Sequence, residues 1–190
     1  MNIFLLRHTQ TGDTEMGINA SRTDSSLSRS GQIKARELIP ILSQYYYDIF
    51  IISPLKRTKE TLEPYLHTLK NPVVISNELT TERDLGELTH TTREQFKQYI
   101  EKYNITNRIT WQPPQGESVL EVYKRAEQFL KQVKENYPNK NVLICGHQNF
   151  LRCLELLILR RPTEEFYSYK PERLAPGELR TYQIQYPNES

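Results

Sequence analysis

The sequence predicts an α/β fold: a three-layer α/β/α sandwich on a mostly parallel sheet, with a small helical cap inserted over about residues 83–117. Three observations carry that prediction. A continuous apolar run at residues 3–6 and shorter apolar runs within 47–52 and 141–146 fit strands buried on both faces of a parallel sheet. Segments with apolar residues at helical spacing separate them, the alternation expected when helices cover both faces. Residues 178–186 alternate polar with apolar, as a more exposed final strand does. A chain of 190 residues suits one domain spanning 1–190.

Taken in order, residues 3–6 form the first strand and residues 9–29, rich in Thr, Ser, Asp, Asn and Gly, a pocket-lining loop. Ser30 is expected to cap a helix over about 31–43, with Ile33, Leu38, Ile41 and Leu42 on its apolar stripe. The second strand, 47–52, leads into Ser53-Pro54, read as a cap and first-turn proline for a helix through about Leu69, which Pro72 helps to end. Residues 73–76 read as a short third strand. Signals weaken over 77–115, where a charged stretch at 82–87, a helix over 93–103, Trp111 and Pro113-Pro114 together suggest the cap. Residues 118–137 are the clearest amphipathic helix, with Val119, Val122, Ala126, Phe129, Leu130 and Val133 at helical spacing. A fourth strand, a helix over about 149–159 and the final strand complete the chain, without internal repeat or low-complexity linker.

Composition excludes several classes of function. The formal charge of +2 comes from 25 basic and 23 acidic residues without a long basic run, which argues against nucleic acid as partner. Residues 1–6 are too short for a signal segment and 154–159 far too short for a membrane span, so a soluble, cytoplasmic protein is expected. Cys145 and Cys153 lack the paired spacing of zinc or redox sites and read as reduced structural thiols.

Candidate chemistry gathers at strand ends. Arg7 and His8 close the first strand at its carboxyl end, where ligands collect in parallel sheets, and His147 closes the fourth in the same way. Two strand-end histidines can share one pocket. Arg57 lies in the first turn or so of the helix after the second strand, and helical side chains lean toward the N-terminus, so its guanidinium can reach back beside Arg7. Two guanidinium forks and a helix N-terminus make an anion site that phosphate fits best. Singly, each arginine would read as a surface group and each histidine as a structural one; their convergence argues otherwise. A neutral imidazole beside paired arginines suits attack on phosphorus to give phosphohistidine, with the second histidine donating to the same oxygens. His67 and His90 have no such setting and read as surface groups.

These stretches resemble, in order, the motifs of the histidine phosphatase superfamily, which includes the cofactor-dependent phosphoglycerate mutases. Leu6-Arg-His-Thr-Gln-Thr11 is similar to the Arg-His-Gly opening, Asp24-Ser-Ser-Leu-Ser-Arg-Ser-Gly31-Gln with Ala35 to the next signature, and Ser53-Pro-Leu-Lys-Arg57-Thr-Lys-Glu-Thr61 to the second arginine motif. Glu82-Arg-Asp-Leu-Gly86 resembles the stretch with the acid/base glutamate, Pro114-Gln-Gly-Glu-Ser118 the Pro-x-Gly-Glu-Ser motif, and Cys145-Gly-His147-Gln-Asn149 the second histidine motif. The resemblance implies His8 as nucleophile, Glu82 as general acid and then base, His147 as the second histidine, and Arg7, Arg57, Thr14 and Asn149 around the substrate phosphate. It implies no metal and no cofactor.

Three positions depart from the pattern. Thr9 stands in place of glycine, more crowded in the turn after His8 but small and polar enough to be tolerated there; Thr14 replaces a phosphate-contacting asparagine; Ile18 replaces a loop arginine, which implies a less basic entrance than in relatives taking polyphosphorylated substrates. The expected activity is hydrolysis of a small phosphorylated metabolite. The competing readings are mutase-type phosphoryl transfer, for which the stretch between Glu82 and Pro113 is short, and a catalytically silent phospho-ligand-binding domain. A metal hydrolase lacks a third ligand at a characteristic spacing. Substrate identity and oligomeric state stay open.

Overall fold

The structure, a computed structural model, describes residues 1–184. Five strands, β1 (Asn2–Arg7), β2 (Ile49–Ile52), β3 (Val74–Ser76), β4 (Asn141–Gly146) and β5 (Leu179–Gln183), form one sheet in the order β3-β2-β4-β1-β5. All pairings are parallel except β5 against β1. Successive side chains leave a strand on opposite faces, so each central strand feeds two cores. Ile3, Leu5, Ile49, Ile51, Val142 and Ile144 pack to one side, and Phe4, Leu6, Phe50, Ile52, Leu143 and Cys145 to the other. The α/β sandwich on a mostly parallel sheet is therefore as the sequence predicts. Gln185 and Tyr186 of the predicted final strand lie outside the described residues.

Helices α6 (Val119–Asn136) and α7 (Gln148–Ile158) cover the first face; α2 (Arg29–Glu37), α3 (Ile39–Leu42) and α4 (Lys56–Leu66) cover the second. The amphipathic α6 buries all six residues singled out above, and Ser118 caps it in a reciprocal capping box with Glu121. The predicted helix 31–43 is two. Ser28, not Ser30, caps α2 by accepting the Gly31 N–H, and the chain bends between Leu38 and Pro40, where proline removes a helical donor. Ile33 and Ile41 lie exposed, while Ala35, Leu38 and Leu42 are buried. Helix α4 likewise begins later than Ser53-Pro54 suggests, because the Ser53 hydroxyl accepts from the Leu55 N–H in a local turn and Leu55 becomes the cap. Arg57 is thereby the second residue of the helix.

Residues 84–117 leave the sheet and return to it. The ends of the excursion are stitched by Glu117 N–H to Asp84 O (2.8 Å), Glu87 N–H to Pro114 O (3.0 Å) and Arg83 Nε–H to Glu117 O (2.7 Å). Gly86 sits at φ +50° with Pro114 O only 2.1 Å from where a Cβ would lie, so the closure needs glycine there. Between the stitches runs α5 (Arg93–Lys102), capped by Thr92 and Gln95. Among the described residues no helix is long and apolar enough to cross a membrane.

Candidate active site

Parallel register sets the site. Arg7 pairs with Gly146 and Ile52 with Cys145, so the chain leaves β1, β4 and β2 side by side, bringing His8, His147 and the start of α4 together. The imidazoles stand with ring centroids 5.2 Å apart, and both are buried. Their hydrogen bonds orient them oppositely. His8 Nδ1 lies 2.7 Å from Thr9 O; a carbonyl only accepts, so Nδ1 carries the proton and Nε2 keeps a free lone pair. His147 Nδ1 accepts from Arg57 Nε–H at 3.1 Å, so in the neutral ring Nε2 carries the proton, and that buried Nε2 has no protein partner. Burial first, and then Arg57 with Arg7 for His8 and Arg57 with His8 for His147, hold both well below the usual 6.5. Both rings are neutral at physiological pH.

The guanidiniums are braced by backbone. Arg57 donates Nη1–H to Thr23 O and Nη2–H to Ser21 O, at 2.6 and 2.9 Å, besides its bond to His147. Arg7 donates Nη1–H to Leu174 O at 2.9 Å and leaves its buried Nε–H unbonded. Burial lowers the Arg7 pKa to about 10, with Glu82 opposing that shift. Both arginines line one small pocket with His8, Glu82, Thr14 and Asn149.

Glu82 is held by backbone amides: its Oε1 accepts from Arg83 N–H at 2.7 Å and from Asn149 N–H at 3.1 Å. Asn149 is the second residue of α7, so the carboxylate sits at a helix N-terminus, and the Asn149 backbone N–H is directed to Glu82. The Thr14 hydroxyl lies 2.8 Å from that of Thr11 in the capping box of the short α1 (Gly12–Glu15), a helical turn within the stretch that the composition predicts as a pocket-lining loop. Thr9 is tolerated in the turn, as expected of a small polar residue: its hydroxyl donates to Gly31 O at 2.9 Å, its N–H donates to Thr61 Oγ1 at 3.0 Å, and its methyl faces Gly177, which has no Cβ. His67 and His90 are exposed.

Sequence reasoning missed several groups at the site. Arg22 bridges to Glu117 at 3.1 Å and donates Nε–H to Glu82 O; Ser21 accepts from Leu85 N–H and donates to Arg83 O. Ile18 does line the pocket, yet the entrance is basic, because Arg83, Arg93 and Arg108 arrive from the stretch before α6 and Arg173 from the C-terminal segment. The Glu82-Arg83 motif pointed to one of the four; no local pattern marks the others.

Neutral imidazoles among braced guanidiniums, at the carboxyl edge of a parallel sheet, place the molecule among α/β enzymes that handle phosphate. A family model described as histidine phosphatase superfamily (branch 1) matches residues 3–184, and the chain belongs to that superfamily. Among curated relatives, phosphoserine phosphatase 1 of Hydrogenobacter thermophilus is 28% identical over 178 residues, covering 89% of this chain and 81% of that one. The uncharacterized phosphatase PhoE of Bacillus subtilis is 32% identical over 146 residues, covering 76% and 70%. The solved α-ribazole phosphatase of Shigella flexneri superposes with a TM-score of 0.84 at 23% identity, covering 97% of this chain and 91% of that one, and supports the fold.

Proposed function

We propose that the protein hydrolyses small phosphomonoesters through a phosphohistidine on His8, acting as one domain whose residues 83–117 cap the site. The observation that carries this reading is the opposed arrangement of the two imidazoles, one with a bare Nε2 and the other with a partnerless Nε2–H. The His8 Nε2 lone pair attacks phosphorus; the bond to the leaving oxygen breaks, and Glu82 gives that oxygen its proton. Water then attacks phosphorus, Glu82 takes a proton from it, and the P–N bond returns its electrons to His8. Arg7, Arg57 and His147 Nε2–H offset charge on the equatorial oxygens throughout. Thr14 and Asn149 line the phosphate pocket, Asn149 also fixing Glu82 through its amide. Phosphatases among the relatives support hydrolysis of a small metabolite, and a cytoplasmic setting agrees with Cys145 and Cys153 being buried and free. The test is rapid acid quench during turnover: phosphate should be found on His8 as a base-stable, acid-labile phosphoramidate, and His8→Ala should be inactive. An unmodified His8 in the working enzyme would overturn the assignment.

A further inference from the structure

The catalytic pocket, about 70 Å³, opens into a chamber of about 560 Å³, the two sharing Asn19, Arg83, Leu85, Arg93, Gln148 and Asn149 as common wall. The first suits a phosphoryl group; the second is the size of a small-molecule site. Its charge is one-sided. The single carboxylate among the described residues lining it is Glu101, and that lies 3.8 Å from Lys97 one turn away. Arg93, Arg108 and Arg173 form no ion pair among the described residues, and the buried Nε of Arg108 has no hydrogen-bond acceptor.

Arg108 and Arg173 are nevertheless held in place. Arg108 lies 4.3 Å from the centre of the Tyr167 ring, and Arg173 lies 4.6 Å from Phe166 and 5.3 Å from Tyr167. A guanidinium over an aromatic ring engages it with a face and keeps its N–H edge for a ligand. Bringing three uncompensated cations to one chamber costs mutual repulsion, which an anion entering the chamber would relieve. Phe96 and Ile100, one turn apart on α5, add an apolar stretch to the chamber wall.

We propose that the chamber selects a leaving group carrying its own negative charge, a carboxylate or a second phosphate, received by Arg93, Arg108 and Arg173 while the scissile phosphate lies against His8. The proposal rests on the phosphatase reading and names the substrate class for it.

Matched pairs of substrates test it. Glucose 6-phosphate and 6-phosphogluconate differ by a distal carboxylate; fructose 6-phosphate and fructose 1,6-bisphosphate differ by a distal phosphate. Wild-type kcat/KM, counted per phosphate, should favour the charged member of at least one pair by about tenfold, the worth of one charge-assisted hydrogen bond. Discrimination in the first pair alone identifies a carboxylate, and in the second alone a phosphate. The ratio of charged to neutral substrate should fall toward one in Arg108→Gln, Arg173→Gln and Arg93→Gln; the last alters an exposed side chain, where substitutions usually change stability little. p-Nitrophenyl phosphate, which lacks a second anion, separates the two failures. If wild type cleaves it and neither pair is discriminated, or if discrimination survives all three substitutions, the chamber is not an anion site. If wild type cleaves none of these esters, the phosphatase reading itself fails, and this proposal with it.

Discussion

Arg57 divides its donors between protein and ligand. Three N–H groups are committed, to Thr23 O, Ser21 O and His147 Nδ1, which leaves two for a phosphate. A lysine ammonium has three donors at one point and cannot brace the loop, orient His147 and bind the anion together. Arg57→Lys should therefore lower kcat/KM by at least about 2 kcal/mol in transition-state stabilisation, with circular dichroism unchanged. An unaltered kcat/KM would remove Arg57 from the site. Glu82 calls for a different measurement, since a general acid matters most for poor leaving groups. Glu82→Gln should lose far more activity on an alkyl phosphate than on p-nitrophenyl phosphate, while Asp84→Asn and Glu87→Gln keep the wild-type ratio. Collapse of the ratio in a control instead would identify that carboxylate as the acid. In the structure it is Glu82 that faces the pocket with His8, while Asp84 accepts from the Gly86 N–H and Glu87 from Gln115.

At the scale of elements, the loop after β1 is fixed by the start of α2. Ser28 accepts the Gly31 N–H, Ser28 N–H donates to Gln10 O, and a Cβ on Gly31 would lie 2.0 Å from that same Gln10 O. The cap thus serves both the helix and the turn that carries His8. Ser28→Ala should cost about 1 kcal/mol in urea unfolding, the usual worth of a serine N-cap. Ser30→Ala, which removes exposed hydroxyl contacts to Glu15 and to the Ser28 hydroxyl but no bond to a helix N–H, should cost clearly less, and equal losses would return the cap to Ser30. The C-terminal segment is tied down from within. Arg152, buried in α7, donates to the backbone oxygens of Phe166, Tyr169 and Pro171 and pairs with the fully buried Glu155 at 2.8 Å; Glu155 also meets Arg180 at 2.7 Å. That network positions the segment whose Leu174 O accepts from Arg7.

For the molecule as a whole, burying two neutral histidines makes stability depend on pH. Both pKa values lie well below 6.5 in the folded state, whereas the unfolded chain titrates near that value. Above it neither state binds these protons. Below it the unfolded chain takes up as many as two that the folded one refuses, so stability falls with acidification by about 1.4 kcal/mol per pH unit per histidine until the folded values are reached. The slope of unfolding free energy between pH 6 and 5 should be shallower in His147→Gln than in wild type, and an identical slope would place a proton on His147 in the folded protein. The sequence by itself determined the sheet, its two helical layers and the meeting of His8, His147, Arg7 and Arg57. Apolar runs and helical spacing are local signals, and parallel strands deliver their carboxyl ends to one edge. Its lapses were local competitions, with Pro40 dividing one helix and a serine turn delaying another. Only the tertiary structure decided which nitrogen of each imidazole stays free, where Asn149 directs its amide, and that the entrance is basic despite Ile18. Those outcomes depend on hydrogen-bond partners and charges brought together from segments such as 93, 108 and 173, whose separation along the chain leaves no pattern to read.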